Sequence, residues 1–431
     1  MSDKLNFNGF ETRQIHAGAA PDSATGALQT PIYQSTSFAF NSSEHAAKLF
    51  ALKEVGYIYS RLTNPTVFAL QNRVAALEGG AGAVGTSSGH AAQIMALFPL
   101  LSPGKNVVAS SRLYGGTVTQ FSHTIRRFGW EARLVDFEDL DAVRSAIDEN
   151  TRALFFEPIA NPGGYVVDLE AIARIADAAG IPIVTDNTTA TPYLLRPIDY
   201  GATIVVHSAT KFLTGNATVT GGVVVDSGKF DWAASGKFPA LSQPVESYHG
   251  VNFQKAFGPL AFTFYGIAVG LRDLGMTMNP QGAHYTLLGL ETLSLRMRQH
   301  VENATEVARW LERDPRVEGV SYAGLESSPY YRRGQRYLPK GQGSLFTFSV
   351  KGGYEAAKKV VDHVQLFSHV ANLGDSRSLI IHPASTTHSQ LSEEQLLAAG
   401  AASNQIRLSV GLETVDDLLR DLDNALAQAT A

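Results

Sequence analysis

Apolar positions along the chain follow two spacings. In the stretch TVFALQNRVAALEGG, residues 66–80, they recur every three to four residues, which is the period of one buried helix face. Asn64 and Pro65 precede it as N-cap and first helical residue, and the glycine pair closes it. From there to about residue 230 the pattern alternates. Short apolar, β-branched runs (NVVAS, ALFFEP, IPIVTDN, ATIVVHS, GGVVVD) are separated by amphipathic segments such as DLDAVRSAIDEN and DLEAIARIADAAG. Runs that are apolar at nearly every position belong to strands covered on both faces, so the pattern predicts an α/β fold with a mainly parallel sheet and helices on both sides.

The flanking regions read differently. Residues 1–60 are irregular, with scattered Pro and Gly and many aromatic and hydroxyl side chains, as expected of an arm packed over something else. Residues 227–285 are rich in Gly, Pro and aromatics and are too long for an ordinary connection, which predicts a functional loop plus a crossover. A long helix is expected over roughly 283–312, followed by strands at VEGVSYA, SLFTFSV, SLIIHP and QIRLSVG. The expected division is an arm (1–63), an α/β domain (64–282, with an insertion at about 230–282) and a smaller C-terminal α+β domain (283–431).

Composition then removes whole classes of chemistry. The chain has 431 residues, 44 % of them hydrophobic and 17 % charged, with a formal net charge of −5. That balance excludes a disordered tail protein and gives no electrostatic reason to expect nucleic acid. The absence of cysteine excludes disulfides, thiolate metal sites and a cysteine nucleophile. Neither a signal-peptide core nor a long apolar run is present, so a cytoplasmic location and no membrane contact are expected.

Two short motifs need weighing. Gly80-Ala-Gly82-Ala-Val-Gly85 fits the dinucleotide fingerprint, but it follows a helix, and no acid occurs between Glu78 and Glu131 to meet a ribose. Gly85-Thr86-Ser87-Ser88-Gly89 fits a nucleophile elbow, in the right strand–turn–helix context, so a serine hydrolase using Ser87 stays open as an alternative of another class. The same turn also reads as an anion site, because small residues entering a helix present free N–H groups. The acid-free stretch around it, with Lys105, Arg112, Arg126 and Arg127, favours a phosphate.

Three strand ends carry matching chemistry. Asp186 ends IPIVTDN, Lys211 lies just past ATIVVHSAT, and Asn161 follows ALFFEPIA; in a parallel sheet such ends border the ligand crevice. A lysine to form a Schiff base, an acid for a pyridine nitrogen and a phosphate cradle are what pyridoxal 5′-phosphate (PLP) requires. Lys211, Asp186 and the turn Ser87 to His90 supply them, and Ser208 and Thr210 stand near enough to reach the same phosphate.

Ser208-Ala-Thr-Lys211, Val184-Thr-Asp186-Asn, Tyr59-Ser-Arg61-Leu-Thr-Asn-Pro65-Thr, Leu113-Tyr114-Gly-Gly-Thr117 and Arg407-Leu-Ser-Val-Gly411 occur in this order over the chain. Together with Glu11-Thr-Arg-Gln-Ile-His-Ala-Gly18, this arrangement resembles the Cys/Met-metabolism family of PLP-dependent enzymes. The resemblance implies fold type I, the aspartate-aminotransferase-like architecture, and a homotetramer built as a dimer of dimers with shared active sites. It implies that Lys211 is the Schiff-base lysine and proton carrier, Asp186 the acid on the pyridine nitrogen, and Tyr114 the catalytic tyrosine stacked on the ring. Ser88, Gly89, His90, Ser208 and Thr210 match the phosphate cup, where the contacts at Gly89 and His90 come from backbone N–H. Asn161 falls beside the cofactor or the substrate carboxylate. Tyr59 and Arg61 match residues that cross from the neighbouring subunit, Tyr59 also bordering the substrate. Arg407 matches the residue holding the substrate α-carboxylate, with Asn372 near it. His382 and His388 form a pair without an acid at ligand spacing, and no metal is expected.

Within the family, methionine γ-lyases carry a cysteine where this chain has Gly116, and the cystathionine enzymes usually show Ser-Leu-Gly where it has Asn372-Leu373-Gly374-Asp375. Those enzymes also lack the long segment from Glu246-Ser-Tyr-His-Gly250 to Met297. These features resemble the sulfhydrylase branch. The implied reaction is PLP-dependent γ-replacement on O-acetyl-L-homoserine, with sulfide or methanethiol replacing acetate to give homocysteine or methionine. A cystathionine γ-synthase or a methionine γ-lyase-type enzyme remains the alternative within the family. The residues beyond a shorter family member map to one loop region, roughly 230–285, where substrate choice is expected to be decided.

Overall fold

The computed structural model describes residues 8–387, 389, 394, 396 and 400–430. Its larger sheet contains β1 (Gly82–Thr86), β2 (Asn106–Ser110), β3 (Glu131–Val135), β4 (Thr151–Phe156), β5 (Ile183–Asp186), β6 (Ile204–Ser208) and β7 (Gly222–Asp226), in the order β1-β7-β6-β5-β4-β2-β3. Strands β3, β2, β4, β5 and β6 are parallel. β7 runs antiparallel to both its neighbours. The cause is the connection, since residues 209–221 contain turns and no crossover helix, and a parallel return needs a crossover of a dozen or more residues, usually helical.

The apolar runs are buried on both faces because the period-2 alternation feeds two cores. Val108, Leu154, Phe156, Ile183 and Val205 enter one core, whereas Val107, Ala109, Ala153, Phe155 and Val184 enter the other. The helix Pro65–Glu78 starts with Asn64 accepting from Thr66 and Val67 N–H and stops at Gly79, which adopts the left-handed conformation at φ 77°.

The long helix expected over 283–312 is two helices, Pro280–Leu290 and Leu293–Arg313. The break is held by Arg296, whose guanidinium donates to the carbonyls of Gly289 and Phe212 at 2.7 Å each, tying the junction to the loop after Lys211. A Cβ at Gly289 would lie 2.4 Å from the Thr214 carbonyl oxygen, so only glycine allows this approach. The region 227–285, expected as a functional loop plus a crossover, is built largely of short helical segments. Its residues Phe253, Phe262, Tyr265 and Ala268 are buried in the core that also takes Val84 and Val224 of the sheet.

A second sheet has the order β10-β11-β12-β9-β8, formed by β8 (Val317–Ser321), β9 (Leu345–Val350), β10 (Ser368–His369), β11 (Leu379–Ile381) and β12 (Gln405–Ser409). Phe346, Phe348, Ile406 and Leu408 pack with apolar residues of the helices Leu293–Arg313, Gly353–His363 and Val415–Thr430. Arg407, between Ile406 and Leu408, therefore projects from the other side of its strand, toward the larger sheet.

Candidate active site

The carboxyl ends of β1, β4, β5 and β6 converge on a cavity of about 210 Å³ that the β12 side closes with Arg407, Asn372 and Leu373. Asp186, the last residue of β5, is 8 % exposed. Its Oδ2 accepts from Gln93 Nε2 at 3.1 Å, and its Oδ1 accepts from the Thr188 N–H at 3.1 Å and hydroxyl at 2.5 Å. Thr188 Oγ1 in turn accepts from the Ser208 N–H at 2.8 Å, which locks the ends of β5 and β6 together. Gln93 is itself anchored to Thr117 Oγ1 at 2.9 Å.

Lys211 sits in the turn after β6, with its N–H donating to the Ser208 carbonyl at 3.3 Å. Its ammonium donates a short hydrogen bond to Asn372 Oδ1 across the cavity. Burial, reinforced by the positive charge of Arg407, brings the Lys211 pKa down to about 8. Arg407 is 5 % exposed, and its two terminal nitrogens donate to Asn161 Oδ1 at 2.9 Å and the Asn372 carbonyl at 2.8 Å. Burial lowers its pKa to about 10. No carboxylate forms a salt bridge with Arg407 among the described residues. A buried guanidinium without a counter-ion costs several kcal/mol, and a carboxylate entering the cavity would offset that cost.

The helix Gly89–Leu97 points its first turn at the same cavity. Ser88 caps it by accepting from Ala91 N–H at 3.1 Å, while Gly89 and His90 line the cavity. A Cβ on Gly89 would stand 2.8 Å from the Ser208 Cβ, so glycine is needed for the turn to lie against β6. Ser208 and Thr210 also line this end, Thr210 Oγ1 accepting from the Gly221 N–H at 3.0 Å. Tyr114 forms one wall, with its ring stacked on the His90 imidazole at 5.8 Å and 28°.

The sequence profile of the Cys/Met metabolism PLP-dependent enzymes matches residues 11–427. The chain belongs to that family. It is 49 % identical to O-acetyl-L-homoserine sulfhydrylase 1 of Thermus thermophilus over 97 % of this chain and 100 % of that protein. It is 47 % identical to the homocysteine synthase of Schizosaccharomyces pombe, over 97 % of this chain and 98 % of the relative. A crystal structure named as an O-acetylhomoserine (thiol)-lyase from Campylobacter jejuni superposes with a TM-score of 0.94 at 43 % identity, covering 97 % of this chain and 100 % of that one. That crystal structure carries a pyridoxyl-lysine-5′-monophosphate.

As a member of the Cys/Met-metabolism family the chain is a PLP-dependent enzyme of fold type I, and its cavity fits the cofactor. A lysine of lowered pKa, a carboxylate oriented by three hydrogen bonds and a helix start free of Cβ atoms at Gly89 face one space. Tyr59 and Arg61 do not line this chain's own cavity. Tyr59 is 43 % exposed, and the Arg61 guanidinium lies over its ring at 5.5 Å. Ser87 is exposed and outside the cavity, and no imidazole hydrogen-bonds to it among the described residues, so the hydrolase alternative lacks its general base. His382 is held by the Ser385 hydroxyl and the Ser403 carbonyl, and His388 lies outside the described residues. No residue of 227–285 lines the cavity, so the segment expected to govern substrate choice does not reach it within one chain.

Gln93, Thr188 and Glu157 are among the cavity residues that escaped sequence reasoning. Gln93 lies one helical turn beyond Gly89, a spacing that places it on the same face. Thr188 follows Asp186 by two residues, the spacing of a local side-chain to backbone turn. Glu157 ends the apolar run of β4 as Asp186 ends that of β5, so the signal used for one applied equally to the other.

Gly116 has a steric explanation. A Cβ there would lie 2.5 Å from Tyr114 Cε1 and 2.9 Å from His90 Cε1. Overpacking of this kind costs about 1–3 kcal/mol, so Gly116→Cys is expected to weaken cofactor retention about tenfold or more. His90→Ala in the same chain should recover part of that loss, because it removes one of the two contested contacts and gives the Tyr114 ring room to shift. Cofactor dissociation constants of the two single variants and the double variant measure the coupling; strictly additive losses would contradict the shared-space explanation.

Proposed function

We propose that the chain catalyses γ-replacement on O-acetyl-L-homoserine, in which sulfide or methanethiol displaces acetate from Cγ to give homocysteine or methionine. The C–O bond at Cγ breaks and acetate departs with its electron pair, the new C–S bond forms, and the thiol proton is released. The observation that carries this reading is the near full-length identity of 44–49 % to relatives named O-acetyl-L-homoserine sulfhydrylase. The buried Arg407, lacking a counter-ion among the described residues and facing Lys211, supports an amino-acid substrate held by its α-carboxylate.

PLP, when bound, supplies an electron sink for the carbanion at the substrate's Cα. Lys211 holds the cofactor and then carries protons between Cα and Cβ, a task suited to an amine whose pKa is about 8. Asp186 keeps the pyridine nitrogen protonated, held in place by Gln93 and Thr188. Tyr114 stacks on the ring, and Ser88, Gly89, His90, Ser208 and Thr210 hold the phosphate, with charge complementarity from the helix N-terminus. Asn161 and Asn372 fix the guanidinium of Arg407.

The oligomer belongs to the same reading. The segment 1–63 that carries Tyr59 and Arg61 also exposes Leu28 (82 %), Phe50 and Val55. Exposed apolar side chains in such number suit a covered interface, and a homotetramer with arms 1–63 reaching neighbouring cavities would use them. The cofactor-binding unit 64–282 and the C-terminal unit 283–431 then supply opposite walls of each site. No helix among the described residues is long and apolar enough to cross a membrane, and a cytoplasmic location is proposed with the metabolic role.

Parallel steady-state assays of O-acetylhomoserine and O-succinylhomoserine with sulfide, methanethiol and cysteine test the reading. The acetyl ester with sulfide or methanethiol is expected to turn over fastest. Fastest turnover with cysteine would replace it by cystathionine formation.

A further inference from the structure

We propose that Glu157 is a positioning residue that sets Tyr114 and the Asn161–Arg407 pair relative to each other, so that one carboxyl fixes the spacing between the ring-stacking and carboxylate-holding sides of the site. The proposal rests on the site residues named above, and on a continuous set of hydrogen bonds. Glu157 Oε1 accepts from the Tyr114 N–H at 2.8 Å, and Oε2 accepts from the Asn161 N–H at 3.1 Å. Asn161 Oδ1 accepts from Arg407, Arg407 donates onward to the Asn372 carbonyl, and Asn372 Oδ1 accepts from Lys211. The arc runs from Tyr114 to Lys211 through both sheets, and Glu157 is the side chain that spans the gap between the Tyr114 turn and the Asn161 turn.

Among the described residues no other acceptor meets these two N–H groups. Tyr114 follows β2 and Asn161 follows β4, and no ladder hydrogen bond reaches either N–H. Glu157 is 5 % exposed and borders the cavity. Burial and the adjacent Asp186 charge push its carboxyl well above the ordinary carboxylate range. A glutamine is therefore the informative control: it removes the ionisable group at nearly constant size and exchanges one acceptor for an NH₂ group that can accept nothing.

The test uses Glu157→Gln and Glu157→Ala in the full chain. In cofactor-free protein, amide hydrogen exchange of the segments around Tyr114 and Asn161 is expected to accelerate in both variants, more in Glu157→Ala. In the loaded protein, the circular dichroism of the bound cofactor should change as the Tyr114 ring loses its fixed position. Spectral titration with a simple α-amino acid should show a dissociation constant about tenfold higher, the size of one lost buried hydrogen bond, with Glu157→Gln between the parent and Glu157→Ala. These readouts need no acetyl ester and no sulfur nucleophile, so they stand even if the sulfhydrylase assay fails. Lower thermal stability with unchanged cofactor dichroism and unchanged amino-acid affinity in folded Glu157→Gln would overturn the proposal.

Discussion

Lys211→Ala is expected to remove the visible absorbance of the loaded enzyme and lower kcat/KM by about 10⁴-fold or more, because one amine serves as covalent anchor and proton carrier. Lys211→Arg should be as inactive, since a guanidinium stays protonated and cannot form the covalent link. The structure adds a pH signature. With a pKa of about 8, the Lys211 amine gains its reactive neutral form through the range just below pH 8. An ordinary lysine would not reach the same neutral fraction until pH 10 or beyond. Recapture of PLP by cofactor-free protein, followed by absorbance, should accelerate about tenfold per pH unit up to pH 7 and level off above about 8. At neutral pH that is a gain of roughly two orders of magnitude over an unshifted lysine. A rate still climbing steeply at pH 9.5 would show that burial and Arg407 do not lower this pKa.

Arg407→Ala is expected to raise KM for the amino-acid substrate on the order of 10²–10³-fold, since it leaves a buried carboxylate without its partner. The KM for the sulfur nucleophile should move little, and a rise shared equally by both co-substrates would argue against the assigned role. Lysine at this position should restore only part of the loss, because a point charge cannot reach Asn161, the Asn372 carbonyl and a substrate carboxylate in one plane. Two consequences follow from Arg407 being a buried cation without a carboxylate partner among the described residues. Removing it should shift the Lys211 recapture inflection upward, since the Arg407 charge contributes to lowering that pKa. Arg407→Met should also keep or raise the thermal midpoint, because an unpaired buried charge is replaced by an apolar group of similar length.

Much of the site was legible because its residues sit where local patterns end. Asp186 and Lys211 close apolar runs whose strand character follows from β-branched composition, and a parallel sheet places such ends together. The helix Pro65–Glu78 matches its caps and periodicity for the same reason, since capping and helical spacing act within a few residues. The break between Pro280–Leu290 and Leu293–Arg313 leaves no trace in the local pattern, because Glu291 and Thr292 are not strong breakers; the interruption comes from Arg296 bonding to Phe212, which is remote in sequence. Glu157 resembles Asp186 in position, but its partners are backbone N–H groups of two distant turns that no periodicity reveals.

By itself the sequence determined the α/β alternation, the cofactor lysine and its acid, and the family, since each depends on short-range spacing or on motifs in order. Only the tertiary structure decided that β7 runs antiparallel, that region 227–285 packs on the sheet away from the cavity, and that Gly116 leaves room for His90 beside Tyr114. It also decided that Arg407 is buried without a carboxylate partner among the described residues. The physical reason is common to all four. Strand direction, burial, steric room and the pairing of charges are set by residues far apart in the chain, and a sequence records them only after folding has made them neighbours.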